Sequence, residues 1–149
     1  MERSDMARRL AFTFAALAAI PLATHSASAE GYLAGKAEAL PDLEIGLGDS
    51  GLEKKGGDYS IVTGKGYSLK IKSTGKHECA IVAPQFFANI YIRKVEINKV
   101  EVKLSGLHEI EMEEEGEAEL YFVAIRPGEY TWACRGLEAK NLTGKFSIK

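Results

Sequence analysis

The sequence is poor in the side chains that most protein chemistry needs. Its 149 residues include two cysteines, three histidines, one tryptophan and four prolines. His25 falls in a leader-like segment, which leaves only His77 and His108 for a mature domain. No serine–histidine–acid arrangement stands out, and no glycine loop of the phosphate-binding kind is present. Nucleophilic catalysis and nucleotide chemistry therefore lack their usual parts. Neither sign of charge dominates, since the formal net charge is −2, which argues against nucleic acid as a partner. Long apolar runs are also missing. The most apolar stretch, Leu10 to Leu22, is shorter than the roughly 20 residues that a membrane-spanning helix needs, so no span is expected in the mature chain. There is no internal repeat and no low-complexity tract.

What is present begins with an export signal. Arg8 and Arg9 form a basic start, Leu10 to Leu22 supplies the apolar segment, and Ala27-Ser28-Ala29 offers small residues for cleavage before Glu30. Residues 1–29 thus read as a signal peptide and the location as the periplasm. Of 19 basic and 21 acidic residues the leader takes three and two, which leaves 16 and 19, a net charge of −3. About 120 remaining residues suffice to bury one core without staples. In an oxidising compartment a disulfide is the default reading of Cys79 and Cys134, with a free thiol pair holding a soft metal as the alternative.

Residues 30–41 carry a weak pattern and read as a flexible lead-in to a domain over 42–149. From there the chain is written in short alternating runs separated by glycine turns. Leu43, Ile45 and Leu47 form one, Tyr59 to Val62 a second, and Tyr67, Leu69 and Ile71 a third. Pro84-Gln85-Phe86-Phe87-Ala88-Asn89 breaks the alternation and suits one helical turn, with both phenylalanines as core plugs. Strands resume over Ile90–Ile97, Val100–Leu104, His108–Glu113, Glu117–Ile125, Glu129–Cys134 and Lys145–Ile148. Many short strands with no long helix predict an all-β sandwich or barrel. His108 shares the parity of Ile110 and Met112 and reads as a buried or boundary strand residue.

The segment Ile125-Arg126-Pro127-Gly128-Glu129-Tyr130-Thr131-Trp132-Ala133-Cys134, followed by Leu142-Thr143-Gly144-Lys145-Phe146-Ser147-Ile148, resembles the closing strands of a cupredoxin. The resemblance implies a Greek-key β-sandwich with one short helical turn. It also implies copper ligands three and eight residues after Cys134 and a histidine near Ala83 to Asn89. Those positions hold Leu137 and Leu142, and the middle segment holds no histidine. A blue-copper centre needs a thiolate and two imidazoles, so electron transfer at such a centre is not expected.

The acidic stretch between His108 and Phe122 is the strongest candidate for a site. Glu114-Glu115-Gly116 suits a three-residue hairpin loop with glycine in the left-handed position. That register sets Met112 opposite Ala118 and Ile110 opposite Leu120. It also gathers Glu111, Glu113, Glu117 and Glu119 on the other face, with Glu109 beside them. Opposed like charges about 5 Å apart destabilise a sheet unless a cation neutralises them. Ca²⁺, with its six to eight oxygen ligands, or a lanthanide would do so. A solvated acidic face and a docking patch for a basic partner are the alternatives. The expectation is a non-enzymatic periplasmic metal-binding or metal-trafficking protein, with a metal-bridged homodimer or another periplasmic protein as partner. The copper alternative is a Cu(I) carrier using Cys134 with Cys79 or His77, and Met112 nearby.

Overall fold

The strands follow from alternation. Tyr67, Leu69 and Ile71 are buried along one run, Ala118, Leu120, Phe122 and Ala124 along another, and Tyr130, Trp132 and Cys134 along a third. Between them Lys70, Glu119, Tyr121, Thr131 and Ala133 reach solvent, as a half-buried strand requires, while Ser68 and Val123 are buried as well. A computed structural model describes residues 35–149; the signal peptide expected over 1–29 lies outside the described residues. In chain order the strands are β1 (Glu38–Ala39), β2 (Leu43–Leu47), β3 (Glu53–Lys55), β4 (Asp58–Ile61), β5 (Gly66–Thr74) and β6 (Cys79–Val82). A single helical turn, α1 (Pro84–Phe87), comes next. The chain continues with β7 (Ile90–Ile97), β8 (Val100–Val102), β9 (Glu109–Met112), β10 (Glu115–Ala124), β11 (Gly128–Cys134) and β12 (Thr143–Ile148).

Two sheets face each other. One runs β3-β2-β5-β10-β7-β8, with β1 also paired to β5, and the other runs β4-β12-β11-β6-β9. This is the expected all-β sandwich with its short helical turn, and a second, 3-10 turn over Glu138–Lys140 lies between β11 and β12. The lead-in over 30–41 is less loose than its pattern suggests. Within its described part, Glu38 and Ala39 pair in parallel with Tyr67 and Ser68, the Leu40 N–H donates to the Ser68 carbonyl at 2.8 Å, and Leu40 is buried.

The core joins the sheets through aromatic contacts. Phe86, fully buried on α1, stacks on Phe146 of β12 at 3.8 Å between ring centroids and meets Phe122 of β10 edge-on at 5.3 Å. One residue of the helical turn thus touches both sheets, which is what the reading of a core plug requires. Trp132 is seated with equal care. Its indole N–H donates to the Gly57 carbonyl at 2.7 Å, and a Cβ on Gly144 would stand 2.3 Å from that same oxygen and 2.6 Å from the indole nitrogen. Only glycine fits opposite Trp132 on β12. The Tyr130 hydroxyl donates to the carbonyls of Arg126 (3.1 Å) and Pro127 (3.3 Å) and so pins the turn that leads into β11.

Candidate functional site

The positions that the resemblance assigns to copper ligands are occupied by other chemistry. Cys134 and Cys79 form a disulfide with their Cα atoms 5.0 Å apart, and both side chains are buried. They come from neighbouring strands, because β11 pairs with β6 through Ala133–Val82 and Cys134–Ile81. The Cys134 N–H donates to the Leu142 carbonyl at 2.8 Å, and the Leu137 N–H donates to the Cys134 carbonyl at 3.0 Å. The backbone loop is therefore folded back tightly over the cysteine. Leu142 is buried and Leu137 rests on the core. Near the expected histidine, Ala83 and Phe86 are buried as well. In the neighbouring core, Ile81, Ala83, Phe86, Trp132 and Phe146 are among the apolar side chains that line a gap of about 20 Å³. Such a gap holds no more than one water-sized object and gives it no polar partner.

The Cu(I) alternative is corrected by the same geometry. Joined in a disulfide, neither sulfur offers the thiolate that a soft metal needs. Met112 is buried opposite Cys79 on β9, while His77 is exposed in the bend before β6. His108, expected to be buried or at a strand boundary, is exposed in the bend before β9 begins at Glu109.

The five-glutamate cluster is not formed, because the two arms do not pair with each other. Among the described residues, strand β9 pairs only with β6 in one sheet, whereas β10 lies between β5 and β7 in the other. Gly116 is not a turn residue. It stands inside β10 opposite Ser73 and is absent from the positive-φ glycines. The alternation itself is as expected, since Ile110, Met112, Ala118 and Leu120 are all buried. They face one another across the core instead of side by side, so the glutamates point out from opposite faces of the sandwich. Among the described residues, no group of three or more histidine, cysteine, aspartate or glutamate side chains is placed to hold a metal ion.

The glutamates are instead divided among three settings. Glu109 forms an ion pair with Arg135. Glu117 and Glu119 stand opposite Lys72 and Lys70 on β5, and the Lys70 ammonium is 3.6 Å from Glu117. On its other side Glu119 meets Glu96 of β7, and these carboxylates line an open hollow of about 340 Å³ together with Asn98 and Lys99. Lys94 compensates there. Its ammonium is 2.9 Å from Glu96 and 2.5 Å from Glu101, and it lies 4.3 Å from the Tyr121 ring centroid. Those partners raise its pKa, with Glu101 as the largest cause and Glu96 next. The Glu101 carboxyl is held down to about 2, by Lys94 first and then Lys103.

Glu111 has the opposite environment. Its neighbour is Glu78, just before β6, and the Glu111 pKa is raised, chiefly by the close approach of the Glu78 carboxyl group, then by desolvation and by the charges of Glu78 and Glu113. Among the described residues, no lysine or arginine forms an ion pair with Glu78, Glu111 or Glu113. The sequence reading passed over Glu78 because it did not assign Cys79–Val82 as a strand. The run Cys79-Ala80-Ile81-Val82, apolar and bounded by Lys76-His77-Glu78 and Pro84, is the signal that finds it.

No family model matches the sequence, and no curated protein matches it. Solved structures do share its fold. A multicopper oxidase from Campylobacter jejuni superposes with a TM-score of 0.54 at 10% identity, over 76% of this chain and 30% of that one. The McoA multicopper oxidase from the hyperthermophile Aquifex aeolicus gives 0.55 at 8% identity, over 77% and 30%. A multi-copper oxidase from Pediococcus acidilactici gives 0.57 at 10% identity, over 77% and 27%. The chain spans less than a third of the length of each of these proteins. With two facing sheets in this strand order and this likeness to domains of copper oxidases, the chain has a cupredoxin-like fold.

Proposed function

We propose that this is a non-catalytic periplasmic binding domain on a cupredoxin-like frame whose copper position has been closed. One observation carries the reading. Cys134, which the resemblance assigns to the copper thiolate, is joined in a buried disulfide, and the positions that it assigns to the downstream ligands hold Leu137 and Leu142. A disulfide suits the oxidising compartment to which the leader-like residues 1–29 would direct the chain. Among the described residues no helix is long and apolar enough to cross a membrane. The test is addition of Cu²⁺ to the purified, unreduced protein, followed by visible absorption and voltammetry. The expected result is no intense thiolate-to-copper band and no reversible couple, whereas either signal would overturn the reading.

A second reading, hard-cation binding, rests on the carboxyl pair Glu78–Glu111 alone, whose mutual repulsion raises the Glu111 pKa. Two carboxylates held close together repel each other, and a cation bound between them relieves that repulsion. Ca²⁺ or a lanthanide suits oxygen donors of this kind, with water completing the coordination. Calorimetry of Ca²⁺ and La³⁺ binding by wild type and Glu111→Gln tests it. Binding that weakens in the variant and at lower pH supports the reading, and identical isotherms remove it.

A further inference from the structure

The larger sheet ends in an edge strand with exposed apolar side chains. Among the described residues, strand β8 ends that sheet and has a neighbour on one side only. It is joined to β7 through Asn98 and Lys99, whose φ angles of 49° and 68° make a two-residue hairpin turn of the kind that suits strand twist. The pairing sets Val102 opposite Val95 and Val100 opposite Ile97. Val95 is buried, so these four side chains share the core-facing side, yet Ile97, Val100 and Val102 are 44%, 62% and 37% exposed. The hairpin overhangs the second sheet and carries an uncovered apolar stripe. On the other side of β8 lie Glu101 and Lys103, a charge pair 3.0 Å apart.

We propose that a second copy of this chain covers this edge, with β8 pairing antiparallel to β8 of the copy about a two-fold axis at Val102. The register follows from geometry and charge. The residues flanking a two-residue hairpin turn form a hydrogen-bonded pair, so Val100 and Val102 direct their backbone groups to β7. Glu101 and Lys103 then present theirs to the open edge, and a partner strand must bring its own Glu101 and Lys103 to meet them. Centring the axis on Glu101 would oppose Glu101 to Glu101, and centring it on Lys103 would oppose Lys103 to Lys103. Like charges directly opposite each other destabilise a sheet. Centring it on Val102 sets Glu101 opposite the copy's Lys103 twice over. The same register sets Val100 opposite the copy's Leu104 and Val102 opposite the copy's Val102, so the two apolar stripes become continuous. An arrangement of this kind closes on itself and stops at two.

Lys94 fixes Glu101 in the position this pairing uses, since its ammonium holds that carboxylate from the β7 side. The proposal is independent of the closed copper position and of the Glu78–Glu111 pair, which is on the other sheet. The strand is short, so the dimer forms reversibly with concentration. Sedimentation velocity of the purified protein across a hundredfold concentration range tests it, with EDTA present so that no metal bridge contributes. The expected result is an average mass that climbs from that of one chain towards twice that value. Glu101→Lys and Lys103→Glu each abolish the rise, and the exchange of both in one chain restores it. The Lys103→Glu variant disturbs only the exposed end of one ion pair, so its folding, checked by circular dichroism, is unaffected. A wild type that stays at the mass of one chain, assemblies that grow beyond two, or single reversals that associate like wild type would each overturn the proposal.

Discussion

Removing the Cys79–Cys134 bond should cost the domain about 4 kcal/mol. The bond closes a loop with a sequence separation of 55 residues. In the chain-entropy description, a loop of that size removes about 14 cal/mol/K from the unfolded ensemble, which is about 4 kcal/mol at 25 °C. For a domain of this size, a loss of about 4 kcal/mol lowers the melting temperature by roughly 15 °C. Equilibrium urea unfolding, monitored by Trp132 fluorescence with and without reductant, reads the effect directly. With a urea slope of about 2 kcal/mol per molar, the midpoint should fall by roughly 2 M on reduction. The Cys79→Ala/Cys134→Ala protein should unfold near the reduced midpoint and ignore reductant. Coincident midpoints for the oxidised and reduced wild type would refute the reasoning, because a cross-link that constrains the unfolded chain must show there.

Three further outcomes are expected. Phe86→Ala should lose about 3–5 kcal/mol in the same unfolding assay, because it removes a fully buried ring that touches both sheets. Gly144→Ala should lose about 1–3 kcal/mol and shift Trp132 emission, since its Cβ would press on the Gly57 carbonyl and the indole nitrogen. The ion pairs of Lys94 should give a pH-dependent difference between wild type and Lys94→Gln. Glu101 has a folded pKa lowered from 4.5 to about 2, so its contribution is present above 4.5 and lost as pH falls through about 2. Lys94 has a raised pKa, so its contribution is present below 10.5 and lost only at more alkaline pH. Urea midpoints should therefore differ by a small, salt-sensitive amount between roughly pH 6 and 9 and converge in acid. A difference that grows in acid would contradict the sign.

The strands were legible because alternation reports a half-buried strand wherever it occurs. Ile90–Ile97 is a strand over the residues its pattern marks, and the proline at the head of Pro84–Phe87 marks the α-helical turn. The pairing of strands was much less legible. Alternation places Ile110, Met112, Ala118 and Leu120 inward, but it does not say from which sheet they face inward. Two arms separated by a few residues satisfy the same pattern as a hairpin or as a crossing from one sheet to the other. In this chain β10 is flanked on both edges by β5 and β7, which leaves no edge for β9. That single choice disperses the glutamates. The short strands Glu53–Lys55 and Cys79–Val82 escaped the reading because a run of three or four residues gives too few alternations to count. With Cys79–Val82 went the partner of Glu111. The loss of the copper ligands was visible from Leu137 and Leu142 alone, whereas the fate of Cys134 needed the register of β6 against β11.

Counting reactive sulfur bears most directly on the closed copper position. Protein purified without reductant is to be denatured, alkylated and weighed intact by mass spectrometry. No added alkyl group on Cys79 or Cys134 is the expected result. Alkylation of either residue in the unreduced protein would show a thiol still available to a metal and would contradict the closure.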